Sequence, residues 1–267
     1  MTINIYRHCL MGVLRREFSR FWQQRNRFAT AVIRPVLWLF VFATGFGVTA
    51  ENNTAESLDA VASYKAYLVP GLCGMVILFN SMQCALSMAY DRELGSMRAL
   101  LVSPLPRPFL LSAKLFAICT VSMMQVFVFL AIATLAGTGP SWLGYLASMP
   151  TMIMTGFMLG AAGLLIATWI KQLENFAGVM NFVIFPVFFL SSALYPLAPM
   201  RDASPWLYWA CQINPFTHAV EAIRRSFSLQ WDPLTFGITA GTAVFLAVLA
   251  TTSFRPQRTR ILPGPGT

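Results

Sequence analysis

The sequence has 267 residues, 57% of them apolar and only 11% charged, with a formal net charge of +9. A soluble domain carries about 25% charged residues, and the deficit here is concentrated: Lys114 and Lys171 bracket fifty-six residues without one Asp, Glu, Lys or Arg. Such a run is too long for a buried soluble helix and long enough for two bilayer crossings of about 20 residues each, so the composition sets aside a soluble fold and a nucleic-acid surface in favour of an all-α integral membrane protein.

The first 27 residues repeat Tyr6, Leu10, Val13, Leu14, Phe18, Phe21 and Trp22 at helical spacing, with Arg16, Arg20 and Arg27 on another face. A basic helix with an aromatic edge fits the membrane surface, either as a plain anchor or as a contact for a cytoplasmic partner. The recurring arginines and the lack of a short apolar core do not read as a signal peptide.

Six spans follow, at about 28–49, 66–90, 109–136, 143–170, 175–197 and 234–254, with a tail at 255–267. Arg34 and Pro35 stand at the mouth of the first span, where Arg34 has to snorkel to the interface. With Lys114, at the entry of the third span, counted among the charges of the 91–114 segment, Arg34 is the one Asp, Glu, Lys, Arg or His read inside the spans, which argues against a self-powered, ion-coupled transporter. Asn80, Gln83, Gln125 and Asn181 are the polar residues inside the apolar runs, readable as glue between helices or as the lining of a path. The loop at 50–65 carries Glu51, Glu56 and Asp59 and reads as exterior. Gly137 to Ser141 separates spans three and four as a turn.

Alternate loops are sorted by charge. The N-terminal segment through Arg34, the 91–114 segment, Lys171 and the tail hold fifteen Lys or Arg, whereas Lys65, Arg201, Arg224 and Arg225 are the four on the other side. The excess of positive charge on cytoplasmic loops then places both termini in the cytoplasm.

Two pieces outside the spans are amphipathic. Between spans two and three, Leu94, Met97 and Leu101 recur as a short helical stripe, and Pro104, Pro106 and Pro108 then force a bend. This is either a docking surface or an ordinary solvated loop. Between spans five and six, Asn214-Pro215 marks a helix start, with Phe216, Val220, Ile223 and Phe227 as its apolar stripe and Glu221 and Arg225 at a favourable i, i+4 spacing. This helix lies in the outer interface or dips into it, and His218 on it is either a ligand or a polar-face residue.

The chemistry of an enzyme is missing from the pattern. None of the three lysines follows a glycine, so there is no phosphate-cradling loop, and neither His8 nor His218 belongs to a metal motif. The five cysteines form no CxxC and read as small apolar fillers.

Three stretches resemble the membrane subunit of ABC-2 type transporters. The loop Asp91-Arg92-Glu93-Leu94-Gly95-Ser96-Met97-Arg98-Ala99-Leu100-Leu101-Val102-Ser103-Pro104 is similar to that family's charged-Glu-x-Gly pattern with a leucine pair and Ser-Pro. Ser191-Ser192-Ala193-Leu194-Tyr195-Pro196 is similar to the exit of its fifth span. Asn214-Pro215-Phe216-Thr217, with Arg224 seven residues on, is similar to its outer helix start. The segment Gln172 to Phe182 is similar to a subgroup associated with quinoprotein (PQQ-dependent) alcohol oxidation systems.

The resemblance implies a permease subunit of an exporter in the bacterial plasma membrane. It implies a dimer, a homodimer on this reading, joined through spans one and five. ATP and Mg would sit on a separate ATP-binding cassette subunit and none on this chain. Asp91, Arg92, Glu93, Leu94, Gly95, Met97, Arg98 and Leu101 would couple to that subunit, and Tyr195, Pro196, Asn214, Pro215, His218, Glu221 and Arg224 would form the exit. The other reading is a scaffold or membrane enzyme with no motor.

Overall fold

Uncharged runs of Leu, Met, Ala, Val and Phe have one low-energy solution in hydrocarbon, the α-helix, because it pairs each N–H and C=O within its own segment. The structure, a computed structural model, describes residues 2–23, 25–49, 55–93, 106–170 and 176–253, and among these all regular structure is helical. In chain order the helices are α1 (Thr2–Gln23), α2 (Arg25–Thr49), α3 (Ala55–Glu93), α4 (Arg107–Leu135), α5 (Trp142–Trp169), α6 (Phe176–Phe189), α7 (Ala198–Ala203), α8 (Pro205–Ile213), α9 (Pro215–Phe227) and α10 (Pro233–Ser253). Stretches 63–91, 108–135, 142–169 and 233–253 are long and apolar enough to cross a bilayer, and shorter apolar helices cover 29–42 and 178–189. Four of the six expected spans therefore have crossing length; α2 covers the expected first span, with 29–42 as the apolar stretch among its described residues, and the fifth is shorter.

Helix α3 is the centre of the bundle. It packs against α2, α4, α5, α6 and α9, and Leu68, Leu72, Cys73, Ile77 and Leu78 on it have no exposed surface. It starts eleven residues before the expected span, at Ala55. The acidic stretch that reads as a loop is helical because Ala, Glu, Leu and Ser form helices readily and no Gly or Pro interrupts them. Between α3 and α4, Asn80 Nδ2 donates to Ser122 Oγ at 2.6 Å, an interhelical bond worth about 0.6 kcal/mol in a membrane.

Of the three prolines read before α4, Pro106 and Pro108 lie among the described residues. Pro106 is extended and Pro108 sits in the first turn. At its other end α4 closes in a Schellman turn: Gly137, at φ 75°, donates its N–H to the Thr134 carbonyl, and the Thr138 N–H reaches the Ala133 carbonyl, each at 2.9 Å. The Ser141 hydroxyl then accepts the Gly144 N–H at 3.2 Å and starts α5.

The expected N-terminal helix is present as α1, and it lies against α4, with Tyr6 edge-on to Phe109 at 4.8 Å. Met11, Phe18 and Trp22 stay exposed along one edge. Helix α2 begins at Arg25, so Pro35 is inside the helix. The guanidinium carbon of Arg34 lies 4.1 Å from the centre of the Phe79 ring on α3.

The fifth span is also shorter than its apolar run. Helix α6 ends at Phe189, and residues 190–197 are turns with no regular helix. Ser191 explains the stop: its hydroxyl donates to the Phe188 carbonyl at 2.5 Å and accepts the Ala193 N–H at 3.2 Å, so it competes with the helical ladder.

Candidate functional site

At the C-terminal end of α3 four ionisable side chains from three helices meet. Arg16 Nη2 on α1 donates to Asp91 Oδ1 on α3 at 2.5 Å. Lys114 Nζ on α4 lies 2.7 Å from Glu17 Oε1 on α1 and 3.6 Å from Asp91 Oδ2. It also donates to Ser87 Oγ at 3.3 Å. The two carboxylates are nearly sealed, with side-chain exposures of 3% for Asp91 and 7% for Glu17. Charges taken this far out of water persist only when each has a partner, so the cluster fixes α1, α3 and α4 in one arrangement. Sequence reading placed Lys114 among loop charges and passed over Glu17. The helix beginning at Arg107 puts Lys114 two turns in and facing the core, and only that register would have revealed it.

At the opposite end, the turn after α6 is pinned from several directions. Asn214 Nδ2 donates to the carbonyls of Val187 and Leu190, both at 2.7 Å, while its Oδ1 accepts the Phe216 N–H at 3.0 Å. One side chain thus closes α6 and starts α9. Tyr64 donates to the Leu194 carbonyl and Tyr67 to the Ser192 carbonyl, each at 2.9 Å. Arg224 Nη2 reaches that same Ser192 carbonyl at 2.8 Å, and its guanidinium carbon lies 3.7 Å from the centre of the Tyr67 ring. Gly71 lets the turn approach α3: a Cβ there would sit 2.0 Å from the Ala193 carbonyl oxygen.

Helix α9 is buried along Phe216, Ala219, Val220 and Ile223 and packs on α3, α5 and α10. The expected Glu221–Arg225 pair does not form. Glu221 pairs with Arg224, which turns inward over Tyr67, and Arg225 reaches Asp232 at 2.6 Å. Asp232 caps α10, accepting the Leu234 N–H at 3.1 Å. Desolvation pushes its carboxyl up, but hydrogen bonds from the Leu234 and Thr235 amides and the Thr235 hydroxyl, with the Arg225 charge, outweigh it and hold the group below its ordinary range. Between the turn, α7, α8, α9 and the start of α10 lies a cavity of about 930 Å³, lined among others by Tyr67, Pro196, Arg201, His218, Glu221 and Asp232. His218 Nε2 is 2.9 Å from the Gln212 carbonyl.

A family model described as ABC-2 type transporter matches residues 9–228, from within α1 to the end of α9. The chain belongs to the ABC-2 type transporter family. Among its relatives is a protein of Porphyra purpurea named as transport permease ycf38, 27% identical over 89% of this chain and 84% of its own. Another, from Escherichia coli K12, is named as multidrug ABC transporter permease YbhR; it is 31% identical over 68% of this chain and 52% of its own length. A third, from Streptomyces coeruleorubidus, is named daunorubicin resistance ABC transporter permease protein DrrB1, 22% identical over 84% of this chain and 78% of its own. The ABC-2 protein is a multi-pass membrane transport component.

Of the residues singled out in this ABC-2 chain, Tyr195, Pro196, Asn214, His218, Glu221 and Arg224 do come together around the pinned turn and the cavity. Of the inner-loop residues, Asp91 lies in the ion-paired cluster. Leu94, Gly95, Met97, Arg98 and Leu101, and the side chains of Arg92 and Glu93, lie outside the described residues. Of the four polar span residues, Asn80 and Gln125 are buried, Gln83 is half-buried, and Asn181 is exposed on α6. Sequence reading missed Tyr64 and Tyr67, whose i, i+3 spacing at the mouth of an apolar run was the available signal, and Arg201 and Asp232, which carried none.

Proposed function

We propose that the chain is the permease subunit of an ATP-binding-cassette exporter in a bacterial plasma membrane. It threads six times, keeps both termini in the cytoplasm, pairs as a homodimer and is driven by a separate ATPase subunit that carries ATP and Mg. The observation that carries this reading is the sealed charge cluster of Arg16, Glu17, Asp91 and Lys114 at the foot of the 94–105 segment. A segment that receives force from a motor needs a stiff base, and three helices locked by buried charges provide one.

On this reading residues 91–103 dock on the ATPase, with Glu93 and Arg98 as the principal charges. The 190–197 turn and α9 form the exit. The exposed apolar residues Leu37, Phe40 and Val41 of α2 and Phe182 and Phe185 of α6 support a dimer face through the first and fifth spans, and Asn181 beside Phe182 faces the path. Relatives named for multidrug transport and daunorubicin resistance put small organic compounds first among cargoes to test.

Extraction in gentle detergent should recover an ATP-binding subunit with this chain. Glu93→Lys should abolish ATP-driven transport while insertion is unchanged. Recovery of the chain alone, with no ATPase from its native membrane, would favour the scaffold reading instead.

A further inference from the structure

We infer that the cavity beneath α9 binds a zwitterionic headgroup, a phosphate and an ammonium carried on one short arm. The inference concerns ligand binding in one subunit and does not rest on the transport reading.

Charge is the first ground. Arg201 and Arg225 face the cavity, and so do Asp202, Glu221 and Asp232. Arg224, paired with Glu221 behind the wall, brings the sum to zero. A bare anion entering here meets three carboxylates, and a bare cation meets the arginines, so each is disfavoured by the same residues that attract the other. A ligand with both signs escapes both penalties. Arg201 and Asp202 are neighbours on α7, both exposed, and neither takes part in an ion pair among the described residues. Their guanidinium and carboxylate match a phosphate and an ammonium.

The second ground is independent of charge. Thr217 lines the cavity and is 1% exposed, yet its Oγ1 has no hydrogen-bond partner. A sealed hydroxyl without a partner is costly, and a phosphate oxygen would supply the missing acceptor. Depth agrees as well. Trp206 and Trp209 share α8 with the lining residues Tyr208 and Gln212, Trp231 precedes Asp232, and all three indoles are more than half exposed. Such rings settle at headgroup level.

The test is native mass spectrometry of the full detergent-solubilised chain, titrated with phosphatidylethanolamine or phosphatidylglycerol of matched acyl chains. Phosphatidylethanolamine should be retained roughly tenfold better, the weight of one charge-assisted contact. Asp202→Lys, on an exposed position, should erase that preference. Thr217→Val, of similar volume, should weaken retention several-fold at a melting temperature no lower than the parent's. Soluble glycerophosphoethanolamine separates the sources: competition shows that the headgroup alone suffices, and its failure beside bound phosphatidylethanolamine assigns the site to a bilayer lipid. Equal retention of the two lipids, retention of neither, or an inert Asp202→Lys overturns the inference. No ATP or partner subunit enters this readout, so a failed transport assay leaves it standing.

Discussion

Asn214 reaches back twenty-four residues to Leu190, donating its side-chain amide to that carbonyl at 2.7 Å while its own oxygen caps the next helix. The two roles make opposite demands on a substitution. As a helix N-cap, Asp serves as well as Asn. As a donor to the Val187 and Leu190 carbonyls, Asp fails, since its carboxylate puts an acceptor oxygen where the amide N–H groups were. Asn214→Asp should therefore lower stability by about 2 kcal/mol for the two lost bonds, and Asn214→Ala, which loses the cap as well, by about 3 kcal/mol, read as thermal unfolding in detergent. A neutral Asn214→Asp would reduce the residue to a simple cap.

The charge cluster should respond more to one deletion than to two. Lys114→Ala takes the ammonium away from the nearly sealed Glu17 and Asp91, and breaking a buried pair costs about 3–5 kcal/mol. Replacing both Lys114 and Glu17 by leucine removes charge and partner together and should cost less than either single change. A double-mutant cycle on melting temperature measures this, and additive losses would show that the pair contributes no coupling.

Gly71→Ala should be among the most damaging single-methyl changes in the chain. The new carbon would meet backbone at Ala193, which cannot rotate away, as the end of a flexible side chain could. Overpacking of this kind costs about 1–3 kcal/mol or more. Gly237→Ala, where a Cβ meets nothing within 4 Å, is the matched control and should leave the elution profile of the purified protein unchanged.

Asp232 supplies a pH prediction. Its carboxyl titrates below the ordinary value of 3.8 in the folded state, so its contribution to stability is present above that value and disappears as pH falls through the lower folded one. The melting-temperature gap between the parent chain and Asp232→Asn should stay constant from neutral pH down to about 5 and close only in stronger acid. A gap that closes near neutrality would contradict the capping geometry.

The spans were legible because hydrocarbon leaves little choice: a long uncharged run must be helical, and composition alone locates it. The ends were less legible, for identifiable reasons. Ala55 to Lys65 looked like a loop because it is acidic, yet polarity does not break a helix. Leu190 to Leu197 looked helical because it is apolar, yet the Ser191 hydroxyl diverts the backbone. The Asn214-Pro215 start could be read locally, but its reach to Leu190 could not, since the partner is set by packing. Spacing showed that Glu221 could pair with a following arginine, and only the position of Tyr67 decided that Arg224 turns inward.

Helix α3 touches both working ends of the molecule. Tyr67 holds the 190–197 turn and Asp91 anchors the charge cluster, twenty-four residues apart, so about 36 Å of helix joins them. A rod of that length converts angle into distance. A rocking of about five degrees at the charged end would sweep the far end through about 3 Å, comparable to the length of a hydrogen bond, so modest tilts there suffice to make or break the Tyr67 tether.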